Sequence, residues 1–157
     1  MHRFDPVIRE YKEGDLEKIH NIEVKSYPTP WSKTFFMVMQ KANPHLFLIA
    51  TLEDEIIGYV VGEVESRSSG DDVRLLGHIM NVAVKESYRR RGLGTLMMNE
   101  IEERSIKQEA KMVYLEVRES NKDAQELYSK RGYMFATKVE RYYANEDALI
   151  MTKVLVR

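Results

Sequence analysis

The sequence contains no cysteine. A disulfide, a thiolate metal site and a cysteine acyl-enzyme are therefore excluded within it. It also lacks an excess of charge of either sign, with a formal net charge of −1. Nothing in that balance would drive the counterion release on which general nucleic-acid binding depends. No apolar run reaches membrane-spanning length, and the opening Met1-His2-Arg3-Phe4-Asp5 has no signal-peptide shape. The expectation is a cytoplasmic protein with no membrane and no nucleic-acid partner. Internal repeats and low-complexity tracts are missing as well.

What is present is the composition of a soluble globular domain: 157 residues, 43% hydrophobic and 31% charged. That length suits one domain over residues 1–157, with a core that needs no staples. Val7, Arg9 and Tyr11 alternate like a short strand, and Gly14-Asp15 offers a cap for a helix carrying Leu16, Ile19 and Ile22. Tyr27-Pro28-Thr29-Pro30-Trp31 interrupts that helix, because each proline biases its predecessor away from helix. Ser32 caps a second helix with Phe35, Phe36 and Met39, which ends at Asn43-Pro44. Leu46–Thr51 and Ile56–Val64 read as a hairpin joined by Glu53-Asp54-Glu55, and Glu65–Asp72 as a flexible loop.

The second half alternates strand and helix. Val73–Val84 and Met112–Arg118 read as strands, with a helix from Gly92 to about Gln108 between them. Asn121 caps a helix to Arg131 that Gly132 stops, and Tyr133–Val139 and Leu149–Leu155 are strands around a Tyr-rich acidic loop. The order β-α-α-β-β-β-α-β-α-β-β predicts an α/β fold, with a mixed central sheet of about seven strands flanked by about four helices.

The chain is organised around Arg89-Arg90-Arg91-Gly92-Leu93-Gly94-Thr95, between a strand and a helix with Leu93, Met97 and Ile101 in register and Leu96 alongside. Strand, glycine loop and helix start gather unpaired N–H groups and a positive helix end around an anion. Glycine lets backbone approach a ligand, and three arginines add planar forks for phosphate oxygens. The loop lacks the Gly-Lys-Ser/Thr of a P-loop, and Met97 stands where a dinucleotide fingerprint needs its third glycine. A pyrophosphate site is one reading; a solvated basic turn is the other.

Three residue positions carry proton-transfer chemistry. Glu116 lies inside the apolar strand Val113-Tyr114-Leu115-Glu116-Val117-Arg118, where burial would raise its pKa and make it a better base. Alternation also lets it simply pair with Arg118. His78 alternates with Met80, Val82 and Val84; it is either a hydrogen-bonded core residue or a base suited to neutral pH. Tyr128, beside Leu127, is either core or a phenol that can protonate a leaving thiolate.

The spacing Arg89-x-x-Gly92-x-Gly94 resembles the acetyl-CoA pyrophosphate loop of the GNAT acetyltransferase superfamily. Gly77-His78-Ile79-Met80-Asn81-Val82-Ala83-Val84 resembles the strand before that loop in GNAT proteins that acetylate protein N-termini. Leu115-Glu116-Val117-Arg118-x-x-Asn121-x-x-Ala124-x-x-Leu127-Tyr128-x-x-x-Gly132-Tyr133 is similar to their next motif, and Arg141-Tyr142-Tyr143 with Glu146-Asp147-Ala148 and Met151 to their closing segment. These stretches span about half of the chain. Pro30-Trp31-Ser32-x-x-Phe35 resembles the bacterial ribosomal-protein alanine acetyltransferases; Tyr27-Pro28 and Gly77-His78 resemble archaeal members.

The resemblance implies acetyl-CoA as co-substrate and no metal. It implies pantetheine pairing with Val82, Ala83 and Val84, and a pyrophosphate held by Arg89, Arg90, Arg91, Gly92, Leu93, Gly94 and Thr95. Asn121 and Tyr128 would contact CoA, with Tyr128 as general acid and Glu116 or His78 as base, directly or through water. Tyr27, Tyr142 and Tyr143 would bind the peptide. Archaeal relatives often carry a catalytic Glu where this chain has Lys25, and Glu23 is a substitute two residues away. The implied activity is acetyl transfer to protein or peptide N-termini, with a ribosome or auxiliary subunit as a further partner. Its rivals are lysine or small-amine acetylation and a non-catalytic acyl-CoA sensor.

Overall fold

The computed structural model describes residues 3–155; Met1, His2, Val156 and Arg157 lie outside them. Seven strands and four helices occur among these residues. The strands are β1 (Val7–Glu10), β2 (Phe47–Leu52), β3 (Glu55–Ser69), β4 (Asp72–Val84), β5 (Met112–Arg118), β6 (Met134–Tyr143) and β7 (Glu146–Val154). The helices are α1 (Leu16–Ser26), α2 (Lys33–Ala42), α3 (Leu93–Lys107) and α4 (Lys122–Lys130). The sheet order is β1-β2-β3-β4-β5-β7-β6, so the predicted mixed sheet is present. β4 and β5 run parallel over only Leu76–Ile79 and Met112–Leu115, although β4 continues to Val84 and β5 to Arg118.

The chain forms two compact units. One takes the chain as far as Glu63 together with Asn81–Arg104; the other takes Val64–Met80 and the chain from Ser105 onward. In the first unit Phe47, Leu48, Ile49 and Ala50 are all fully buried, so β2 is covered on both faces, as an unbroken apolar run requires. α1 and α2 add Ile19, Ile22, Phe36 and Met39, and α3 adds Leu93, Met97, Met98 and Ile101. Leu96 is 39% exposed, off the helix's buried stripe. Gly58 permits the closest packing: a Cβ there would lie 3.0 Å from the Ala83 carbonyl oxygen and 3.2 Å from Met97 Cε. The second unit buries Val113, Leu115, Val117, Tyr128, Tyr133 and Met151.

Three local expectations are corrected. Glu65–Asp72 is no loop, because β3 runs to Ser69 and β4 begins at Asp72, with Gly70 (φ +63°) turning the hairpin. Polar composition misled there because this end of the hairpin is exposed. The Tyr-rich loop is likewise strand, since β6 extends through Tyr142 and Tyr143 and Tyr143 pairs with Glu146. Asp15 precedes α1 without a side-chain cap bond; its carboxylate accepts from Arg9 at 2.7 and 3.0 Å and from the Lys12 N–H at 2.9 Å. The caps at Ser32 and Asn121 are made, to Phe35 N (3.2 Å) and Ala124 N (3.2 Å). Gly132 at φ +94° ends α4 as expected.

Candidate active site

In the first unit, β4 stops at Val84, a short turn covers Glu86–Tyr88, and α3 starts at Leu93. Gly92 has φ +82° and open space where a Cβ would be, so backbone conformation is what demands glycine here. Arg90 adds a second left-handed corner at φ +62°. The first turn of α3 holds no acidic residue, so its N–H groups and dipole face an anion unopposed. Backbone of Gly92, Leu93, Gly94 and Thr95 thus fits the expected diphosphate. Two of the arginines also make contacts that hold the loop. Arg89 donates to the Val84 carbonyl (3.0 Å) and the Ser26 hydroxyl (3.3 Å). The Arg91 guanidinium lies 4.0 Å from the Phe4 ring centre and 5.8 Å from that of Tyr88. Two of the three side chains thus brace the loop.

The acceptor turn Tyr27–Ser32 belongs to the same unit. Tyr27 donates its hydroxyl proton to the Val82 carbonyl, and the Val82 N–H donates to Asn81 Oδ1 at 3.1 Å. Glu23 is fully buried. Its Oε1 accepts from the Tyr59 hydroxyl and from Asn81 Nδ2 (2.5 Å), and its Oε2 from the Trp31 N–H (2.8 Å). Burial, followed by the Glu23 charge and hydrogen bond, pushes the Tyr59 phenol far above its ordinary value. A buried carboxylate that accepts from three donors is held as an anchor. Lys25 lines a surface pocket with Asn21, Ile22, Ser26, Lys85 and Arg89.

The second unit holds the proton-transfer groups. His78 Nε2 and Glu116 Oε2 are 2.8 Å apart, with side chains only 11% and 13% exposed. Arg118 bonds Glu146 at 3.1 Å and lies 4.0 Å over the Tyr143 ring. The His78 ring stacks on Tyr114 at 4.2 Å and 10°, and Tyr114 donates to Glu65 at 2.6 Å. Parallel pairing puts His78 opposite Tyr114, which fixes that stack. Tyr142 and Tyr143 meet edge to face at 5.0 Å. Burial and then the Glu116 charge raise the Tyr142 phenol. Burial pushes Tyr143 up to about 12, with its neighbour Tyr142 the next contributor and Glu116 a lesser one. Both tyrosines therefore feel the carboxylate of the pair.

Tyr128 is buried on α4, and desolvation holds its phenol above the ordinary value, so it carries its proton at neutral pH. Asn121 spends Oδ1 on the α4 cap. Sequence reasoning missed Tyr59, Asn81, Tyr114 and Glu65. One signal was available for the anchor: Leu16, Ile19 and Glu23 follow i, i+3, i+7 spacing, which places a carboxylate on α1's apolar stripe. A His–Glu pair, a buried phenol and a helix start free of acidic residues are each groups that an acyl transfer to an amine can use.

Comparison with known proteins agrees. The model of the acetyltransferase (GNAT) family matches residues 16–133. An N-alpha-acetyltransferase of Sulfurisphaera tokodaii is 32% identical, over 94% of this chain and 92% of its own. The putative [ribosomal protein bS18]-alanine N-acetyltransferase of Bacillus subtilis is 32% identical, over 92% of each. Chaetomium thermophilum Naa20, solved in complex with a bisubstrate analogue, superposes with a TM-score of 0.86 at 27% identity, over 95% of this chain and 86% of that one. The chain belongs to the GNAT acetyltransferase family.

Proposed function

We propose that the protein transfers the acetyl group of acetyl-CoA to the α-amino group at the N-terminus of a protein or peptide. The observation that carries this reading is the His78–Glu116 pair, 2.8 Å apart in a unit that also presents Tyr128, Tyr142 and Tyr143. With no cysteine to form an acyl-enzyme, the amine attacks the thioester directly while both substrates are bound. The bond from nitrogen to the acetyl carbon forms and the carbon–sulfur bond breaks. Glu116 or His78 takes the amine proton, directly or through water, and Tyr128 gives its proton to the departing thiolate. An α-amino group has a pKa of about 7.7–8.0, so this base needs little extra strength. Backbone at Gly92–Thr95 holds the diphosphate, and Val82, Ala83 and Val84 take the pantetheine arm. Tyr27, Tyr142 and Tyr143 bind the first peptide units of the acceptor.

Relatives named as N-alpha-acetyltransferases and a neighbour solved with a bisubstrate analogue support this reading. A cytoplasmic location, and a ribosome or auxiliary subunit that brings the acceptor, belong to the same proposal. Two peptides of one sequence test it: one with a free N-terminus and no lysine, the other N-terminally blocked with an internal lysine. Acetylation of the first should dominate, and Tyr142→Phe or Tyr143→Phe should raise its Michaelis constant. A better blocked-lysine substrate would replace the α-amine reading with an ε-amine one.

A further inference from the structure

Glu23 has no exposed surface and stands on α1 just before the acceptor turn. A buried carboxylate is tolerated when its lone pairs are met by donors. Here the donors come from three separate segments: Tyr59 on β3, Asn81 on β4 and the Trp31 peptide in the turn. Asn81 passes the constraint to the Val82 N–H, and the Val82 carbonyl passes it to the Tyr27 hydroxyl. The Tyr27 N–H closes the circuit on the Glu23 carbonyl at 3.1 Å. The acceptor turn and the end of β4 are thus held in one ring of hydrogen bonds, with Glu23 at its buried point.

We propose that Glu23 is a positioning residue that couples the acceptor turn to β4, so that acetyl-CoA arriving on β4 resets the Tyr27–Trp31 turn and raises affinity for the acceptor. The proposal rests on the reading above that acetyl-CoA pairs with Val82 and that Tyr27 meets the peptide. The coupling arises from competition for one proton. The Val82 N–H has a single hydrogen, so a ligand carbonyl that takes it displaces Asn81 Oδ1. Asn81 cannot turn without disturbing its bond to Glu23, which holds the Trp31 peptide through its other oxygen. The Val82 carbonyl, with two lone pairs, keeps Tyr27 throughout. Such a coupling is reciprocal: acceptor bound to the turn tightens acetyl-CoA by the same factor.

The chain carries its own reporter. Trp31 is the single tryptophan, 41% exposed, and its ring stacks on Phe35 at 4.1 Å. Its emission is titrated with acetyl-CoA while calorimetry follows binding of the same ligand. In the wild type the emission should change and saturate at the calorimetric affinity. In Glu23→Gln the change should vanish although acetyl-CoA still binds, and the peptide Michaelis constant should rise about tenfold, the scale of one lost charge-assisted hydrogen bond. Asn81→Ala, which leaves Glu23 two donors, should also abolish the change and covers the case that Glu23→Gln does not fold. A purely structural Glu23 would lower the melting temperature yet leave the emission response intact. That result, or a wild-type emission indifferent to saturating acetyl-CoA, overturns the proposal. The emission arm contains no peptide. Failure of the α-amine reading would therefore show separately, as missing N-terminal acetylation with the Trp31 response preserved.

Discussion

Glu23 is a fully buried carboxylate and Glu116 a part-buried one, and their surroundings suit them to opposite work. Glu23 faces donors from Tyr59, Asn81 and Trp31, all groups that stay protonated at neutral pH. Glu116 faces His78, the one side chain whose ordinary pKa lets it exchange a proton near neutrality. A carboxylate saturated by fixed donors rigidifies a fold, whereas one paired to a titratable ring can pass a proton along. Burial alone does not distinguish a base from an anchor; the partners do.

The largest effect that sharpens this contrast is catalytic. Glu116→Gln keeps the shape of the pair and removes the proton acceptor, so kcat should fall about 10²–10⁴-fold in steady-state assays. Acetyl-CoA affinity should barely change, because Gln keeps the shape of the side chain. A loss confined to the Michaelis constant would make Glu116 a binding residue. Gly94→Asp should act in the reverse sense, weakening acetyl-CoA roughly 10–100-fold in calorimetry by placing a like charge at the anion site. Unchanged affinity would remove the loop from the site.

Much of this was legible in the sequence because short-range rules decided it. β5 occupies the predicted Met112–Arg118, since period-2 alternation and flanking turns bound it on both sides. The caps at Ser32 and Asn121 and the stop at Gly132 are local chemistry and hold. What failed depends on partners remote in the chain. Tyr142 and Tyr143 look like loop, but pairing with β7 makes them strand. The contacts of Arg89 with Val84 and Ser26, and of Arg91 with Phe4, have no local signal either. Nothing in β5 alone says that His78, paired with Tyr114 on β4, will reach the Glu116 carboxylate. No pattern within α1 says that Tyr59 and Asn81 will converge on Glu23.

Two smaller predictions probe stability in the unit that holds the anchor. Gly58→Ala drives a methyl against the Ala83 carbonyl oxygen, a backbone atom 3.0 Å away that cannot swing aside. It should cost about 1–3 kcal/mol, or roughly 2–10 °C in melting temperature. A neutral result would mean that β3 and α3 are less tightly joined than their spacing indicates. Asp15→Asn should cost about 1–2 kcal/mol at pH 7. Burial opposes ionisation of Asp15, but Arg9 and the Lys12 N–H outweigh it, and the carboxyl sits below its ordinary value. Stability from a lowered carboxyl pKa is full above the unfolded value of about 4 and is lost as pH falls through the folded one. The gap between wild type and variant in denaturant melts should therefore narrow below about pH 4, and a gap constant from pH 7 to 3 would refute the ionic origin.

The division of labour between these two carboxylates is tested most directly by measuring the pH dependence of kcat and the melting temperature for Glu116→Gln and Glu23→Gln side by side. Glu116→Gln should lose the limb of the profile that reports deprotonation of the base while melting close to the wild type. Glu23→Gln should keep that limb and melt roughly 3–10 °C lower, the scale of one lost charge-assisted hydrogen bond in a domain of this size. A Glu116→Gln profile that retains the limb, or a Glu23→Gln profile that loses it, would contradict the assignment of base and anchor.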